Sequence, residues 1–139
     1  MVERAPVPVW LYVLIFIFII WNPAGLAQHL ASNVWTLSSR SPLSLAFLCA
    51  RLIVTSIGVA AGIALWRQRP AAVSLAKTSL ILFGVEAAVR LSTRVDLSSA
   101  PPGTRLPFAI FVIMHNAGWY FYLQISRRVA AAYDLKSHS

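Results

Sequence analysis

Four long apolar segments separated by short polar breaks leave this chain few ways to fold. The first carries an unbroken apolar run from Val9 to Trp21. Crossing the hydrocarbon core takes about 20 residues at 1.5 Å each. The four segments reach that length over about residues 8–29, 44–66, 71–92 and 106–126. Backbone N–H and C=O groups find no partners in lipid, so each segment must bond within itself as a helix. The expectation is an all-α integral membrane protein, a four-transmembrane-helix bundle forming one domain over residues 1–139.

Composition excludes several alternatives. Hydrophobic residues make up 58% and charged residues 12%, against about 25% charged in a soluble domain. That removes the disordered tail and the ordinary soluble enzyme. The net charge of +8 would point to nucleic acid in a soluble chain. Here it places basic residues against an anionic membrane face, so the expected partner is the lipid bilayer and not nucleic acid. Cys49 is the single cysteine, so no intrachain disulfide can form. There is no paired-carboxylate motif, His-Glu-x-x-His, Gly-x-Ser-x-Gly or Walker loop. No enzyme activity, catalytic residue, metal or cofactor is therefore expected.

The breaks are well marked. Ser38 to Pro42 is a polar stop, Arg67-Gln68-Arg69-Pro70 a tight turn, and Ser92 to Gly103 a loop. After Arg127 the sequence reads as a polar tail. Within the first segment, Pro23 in Asn22-Pro23-Ala24-Gly25 removes a helix donor. It is expected to kink or end the helix. Residues 26–37 would then lie at the interface, anchored by Trp35. A rival reading makes residues 1–27 a signal peptide cleaved at Gly25-Leu26-Ala27. The retained span is preferred, because the remaining segments already belong in a membrane.

Orientation follows the basic residues near helix ends. Arg4, Arg67, Arg69, Arg127, Arg128 and Lys136 share one side, against Arg40, Arg94 and Arg105 on the other. Both termini are thus expected in the cytoplasm of a bacterial inner membrane. Arg67, Arg69, Arg127 and Arg128 would be inner-face anchors. Trp10, Tyr12, Trp66 and Tyr133 would sit at the inner interface, and Lys77 would snorkel toward it.

The second and third segments are the most informative. Leu48, Arg51, Thr55, Gly58, Gly62 and Leu65 share one helix face; Ala72, Ala76, Ser79, Phe83, Glu86 and Arg90 share another. Folding at Gln68-Arg69 gives a tight antiparallel hairpin. Gly62 falls beside Ala76, Gly58 beside Ser79, and Arg51 beside Glu86. Gly58-x-x-x-Gly62 and the small residues Ala72, Ala76 and Ser79 allow close packing. Charges in a span usually face a partner, so Arg51, Glu86 and Arg90 form a structural pin or, as a functional reading, a proton or cation site. His115 and Asn22 would complete an intramembrane polar cluster, with His115 bonding across the bundle. Haem or quinone binding at His115 is a weaker alternative, since His29 lies at a different depth.

The closing segment reads Gly118-Trp119-Tyr120-Phe121-Tyr122-Leu123-Gln124-Ile125-Ser126-Arg127-Arg128-Val129. This aromatic run followed by Ser-x-Arg-Val resembles the last helix of the YdgK-like proteins, a bacterial four-helix inner-membrane family of unknown function. Gly62 to Leu80 is compatible with the same family, though its glycine-tryptophan opening is missing here. The resemblance implies four spans and no activity, so no catalytic residue carries over. The functional expectation is a non-catalytic subunit or helper of a larger membrane complex, bound to another membrane protein or to itself. The alternative is a small homo-oligomeric transporter or proton-coupled carrier using Glu86, Arg51 and His115.

Overall fold

A computed structural model of the chain describes residues 6–93 and 103–133. The expectations placed on Arg4, Arg94 and Lys136, and on the loop over 94–102, lie outside these residues. The described residues are helical with no strand, and four helical runs are long and apolar enough to cross a membrane. The first run, Val9–Ser39, is built in four pieces: α1 (Val9–Phe16), a π-helical turn (Ile17–Trp21), α2 (Asn22–Asn33) and a 3-10 turn (Val34–Ser39). The others are α3 (Pro42–Trp66), α4 (Ala72–Thr93) and α5 (Arg105–Ile125); a short α6 (Arg127–Ala132) follows.

Of the kink or end expected at Pro23, the structure shows no end. The helical path runs through it to Ser39. The amide of Asn22 donates to the carbonyl of Ile17, five residues back. This wide turn falls just before Pro23, where the chain supplies no donor. Pro23 then occupies the opening positions of α2, where a missing N–H is tolerated. No separate interfacial helix forms over 26–37. The C-terminal end of the run instead winds into the 3-10 turn, held by Thr36 Oγ1 donating to Asn33 O at 3.0 Å and Ser39 Oγ to Thr36 O at 2.9 Å. Trp35 is almost fully exposed there.

Each run packs on its chain neighbours in alternating direction. Tyr12 meets Trp66 edge-to-face at 6.2 Å, and Lys77 meets Gln124, so early residues of one helix pair with late residues of the next. Ser41 caps α3, accepting from Ser44 N at 3.3 Å, with Pro42 in the first turn. The α3 C-terminus closes through Gln68 N to Leu65 O and Arg69 N to Ala64 O, both at 3.1 Å. That is a Schellman turn, with Gln68 in the left-handed conformation at φ 49° where glycine is usual. The core is Leu11, Leu14, Phe18, Leu65, Val73 and their neighbours. Lipid is as apolar as these side chains, so their contribution is close packing rather than removal from water.

The chain beyond Arg127 is not a plain tail. Ser126 leaves helical geometry and caps α6, accepting from Val129 N at 3.4 Å. Val129, Ala132 and Tyr133 are buried in the core. Tyr133 is therefore no interfacial anchor: its hydroxyl donates to Leu65 O at 2.6 Å. The same carbonyl accepts Gln68 N, so α6 is tied to the α3–α4 turn.

Candidate functional site

The charged residues of the α3–α4 hairpin meet as their spacing requires. Arg51 Nη1 lies 3.6 Å from Glu86 Oε1. Arg90, one turn along α4, donates to that same oxygen. Glu86 is buried, with a side chain 8% exposed, while Arg51 and Arg90 keep 28% and 21%. Two guanidiniums thus surround one carboxylate, a charge sum that repels cations and argues against the cation-site reading. Arg90 Nε is buried and finds no hydrogen-bond partner among the described residues. His29, set aside in the sequence as too shallow, lies within electrostatic range of Arg51, Arg40 and Arg90. Only the path of the first helix through Pro23 brings it there.

The rest of the expected polar cluster is elsewhere. Asn22 opens α2 and makes no hydrogen bond to the trio's side chains among the described residues. His115 belongs to an aromatic ladder on α5: its ring stacks on Phe111 at 5.9 Å and meets Trp119 edge-on at 6.3 Å. Trp119 in turn meets Tyr122 at 5.6 Å. His115 makes no hydrogen bond among the described residues, so the expected bond across the bundle is absent. Its neighbour Asn116 is buried and donates back to Val112 O at 2.7 Å. Among the described residues His115 makes no hydrogen bond or ion pair with Glu86 or Arg51.

The small residues divide their work between two neighbours. A Cβ on Gly58 would sit 3.1 Å from the Phe83 ring and 3.3 Å from Ser79 Oγ, so this glycine seats α4 as expected. A Cβ on Gly62 would sit 2.7 Å from Ile19 Cγ1 and 3.1 Å from Phe18 Cβ. Gly62 therefore receives the π-turn of the first helix. Positions four apart drift around the helix, so one glycine of the pair can face each flank. Ala72, Ala76 and Ser79 are fully buried, and Ser79 Oγ has no hydrogen-bond partner among the described residues.

Lys77 reaches toward the C-terminal end of α5. Its ammonium donates to Gln124 Oε1 on α5 and lies 5.9 Å from the Tyr120 ring centroid. Gln124 was missed because a lone glutamine at a helix end reads as an interfacial residue; only the α4–α5 register pairs it with Lys77. Arg67, Arg69, Arg127 and Arg128 are exposed at one end of the bundle.

The remaining feature is an open groove of about 430 Å³ between α1 and α5, lined by Trp10, Met114, His115, Gly118, Trp119 and Tyr122. Among the described residues no group of three His, Cys, Asp or Glu is placed to hold a metal ion. No known protein family, curated protein or solved structure matches this chain.

Proposed function

We propose that the chain is a non-catalytic subunit or helper of a larger assembly in a bacterial inner membrane, with both termini cytoplasmic. One observation carries this reading: α5 packs mainly on α4 and turns Phe108, Ile110, Phe111, Met114, Phe121 and Ile125 outward. A span so little used by its own bundle is the surface through which such a protein has most to offer a neighbour. The pairing of Arg51, Glu86 and Arg90 between α3 and α4, and of Lys77 with Gln124 between α4 and α5, supports it, since these polar groups tie neighbouring helices. The exposed arginines at positions 67, 69, 127 and 128 support the orientation by the positive-inside rule. Leu11, Leu14 and Phe18 in the core support retention of the first segment. Kinship with the YdgK-like family belongs to the same reading.

The test is native mass spectrometry of the protein extracted gently from its own membrane. A stable mass containing a second, different polypeptide is expected. A monomer or homo-oligomer alone, across several mild detergents, would overturn the subunit reading.

A further inference from the structure

The groove between α1 and α5 differs from a lipid-facing crease in its polar inventory. Trp10 and Trp119 each carry an indole N–H, His115 a ring N–H and Tyr122 a phenol O–H. None of these four side chains makes a hydrogen bond among the described residues. No carboxylate or amide side chain lines the groove, so what it offers a ligand is chiefly donors between flat aromatic walls. His115 lies ten residues from each end of α5 (Arg105 and Ile125), about 15 Å from either. At that depth headgroups and water do not reach it, and an unpaired polar group in hydrocarbon is costly. An acyl chain filling the groove would leave His115 unpaired. Gly118 keeps the middle of the groove open, since a Cβ there would touch nothing within 4 Å.

We propose that this groove binds the ring of a lipid-soluble carbonyl compound of the quinone class, which enters sideways from the bilayer. Its volume falls in the range of small-molecule sites, about 300–1,000 Å³. The aromatic walls take the flat ring, and a ring carbonyl accepts the His115 N–H. His115 and Trp119 stand one turn apart, about 6 Å along the axis, so a second carbonyl across the ring comes level with the Trp119 indole and Tyr122. The inference is independent of the subunit reading, because it concerns only residues within this chain.

The test uses the full-length protein in phosphatidylcholine vesicles, titrated with a decyl-substituted benzoquinone while tryptophan fluorescence is followed. Quenching with a saturable component is expected, and decylbenzene at the same mole fraction should leave it unchanged. Gly118→Leu fills the groove without backbone strain and should abolish the saturable component. His115→Phe keeps the stacking but removes the donor, and should weaken binding about tenfold. Circular dichroism checks that both variants are folded. Quenching that rises without saturation, or a midpoint unmoved in folded Gly118→Leu and His115→Phe, would overturn the proposal. So would equal competition by decylbenzene, which lacks the carbonyls.

Discussion

Replacing Glu86 by leucine should harm this protein more than replacing either arginine beside it. At 3.6 Å and an effective dielectric constant of 20, the Arg51–Glu86 attraction is about 5 kcal/mol before desolvation is counted. Much of that is cancelled by taking both ions out of water. Removing one partner alone leaves an uncompensated charge, at about 3–5 kcal/mol. Glu86→Leu strands two guanidiniums at once and should reach that range. Arg51→Leu should cost only about 1–2 kcal/mol, because Glu86 keeps Arg90. The triple change of Arg51, Glu86 and Arg90 to leucine removes every charge of the group and should return to within about 1 kcal/mol of the parent. The assay is reversible unfolding in mixed micelles by sodium dodecyl sulfate titration, followed by helical ellipticity. An Arg51→Leu loss equal to that of Glu86→Leu would refute the shared-carboxylate geometry. A triple variant as unstable as Glu86→Leu would refute the claim that stranded charge is the cause.

Three further expectations can be measured in the same way. Gly62→Ala should destabilise by about 1–3 kcal/mol, since its Cβ would intrude on Ile19 and Phe18, while Gly84→Ala, which meets nothing within 4 Å, should be neutral or stabilising; equal effects would remove the close-approach argument. Burial, with a contribution from Tyr12, pushes the Tyr133 phenol from its ordinary 10.0 up to about 12. The neutral phenol's contribution is then complete below pH 10 and lost as pH rises from 10 to 12, so α6 should detach in that window; Tyr133→Phe should cost about 1 kcal/mol at neutral pH and abolish the alkaline transition, checked by tyrosinate absorbance and limited proteolysis after Arg127. Lys77→Met and Gln124→Leu should each cost about 1 kcal/mol and together less than their sum, and strict additivity would show that the two do not act as a pair.

The hairpin was legible because two helices joined by a short turn have one register that pairs their charges. Thr55, Gly58 and Leu65 on α3, and Ala72, Ala76, Ser79, Phe83 and Glu86 on α4, are buried along the faces their spacing marked. The first helix was misread at Pro23 because a single residue reports its missing donor but not the widened turn before it. That error propagated. With the helix carried through to Ser39, His29 comes into range of Arg51 and Arg90, and the π-turn residues Phe18 and Ile19 occupy the place against Gly62. The α6 segment was missed for a related reason: Arg127-Arg128 announces a membrane exit, while the buried Val129, Ala132 and Tyr133 are spread over only the next five residues.

His115 marks the boundary between what periodicity can reveal and what it cannot. On helix spacing it belongs to an aromatic face with Phe111, Trp119 and Tyr122, and that much is in the sequence. Whether such a face meets a neighbouring helix depends on how the bundle closes, and closure is decided by pairs far apart in the chain. Here α5 is held to α4 by Lys77–Gln124, and α6 is held beneath α3 by Tyr133. Both ties draw the chain's end toward α3 and α4, and the flank between α1 and α5 is left open. The residues that fasten the helices together are thus also the ones that leave His115 without a hydrogen-bond partner among the described residues. A polar group left so at mid-span is a standing energetic cost, and a ligand in the groove would supply the hydrogen-bond partner that the described residues do not.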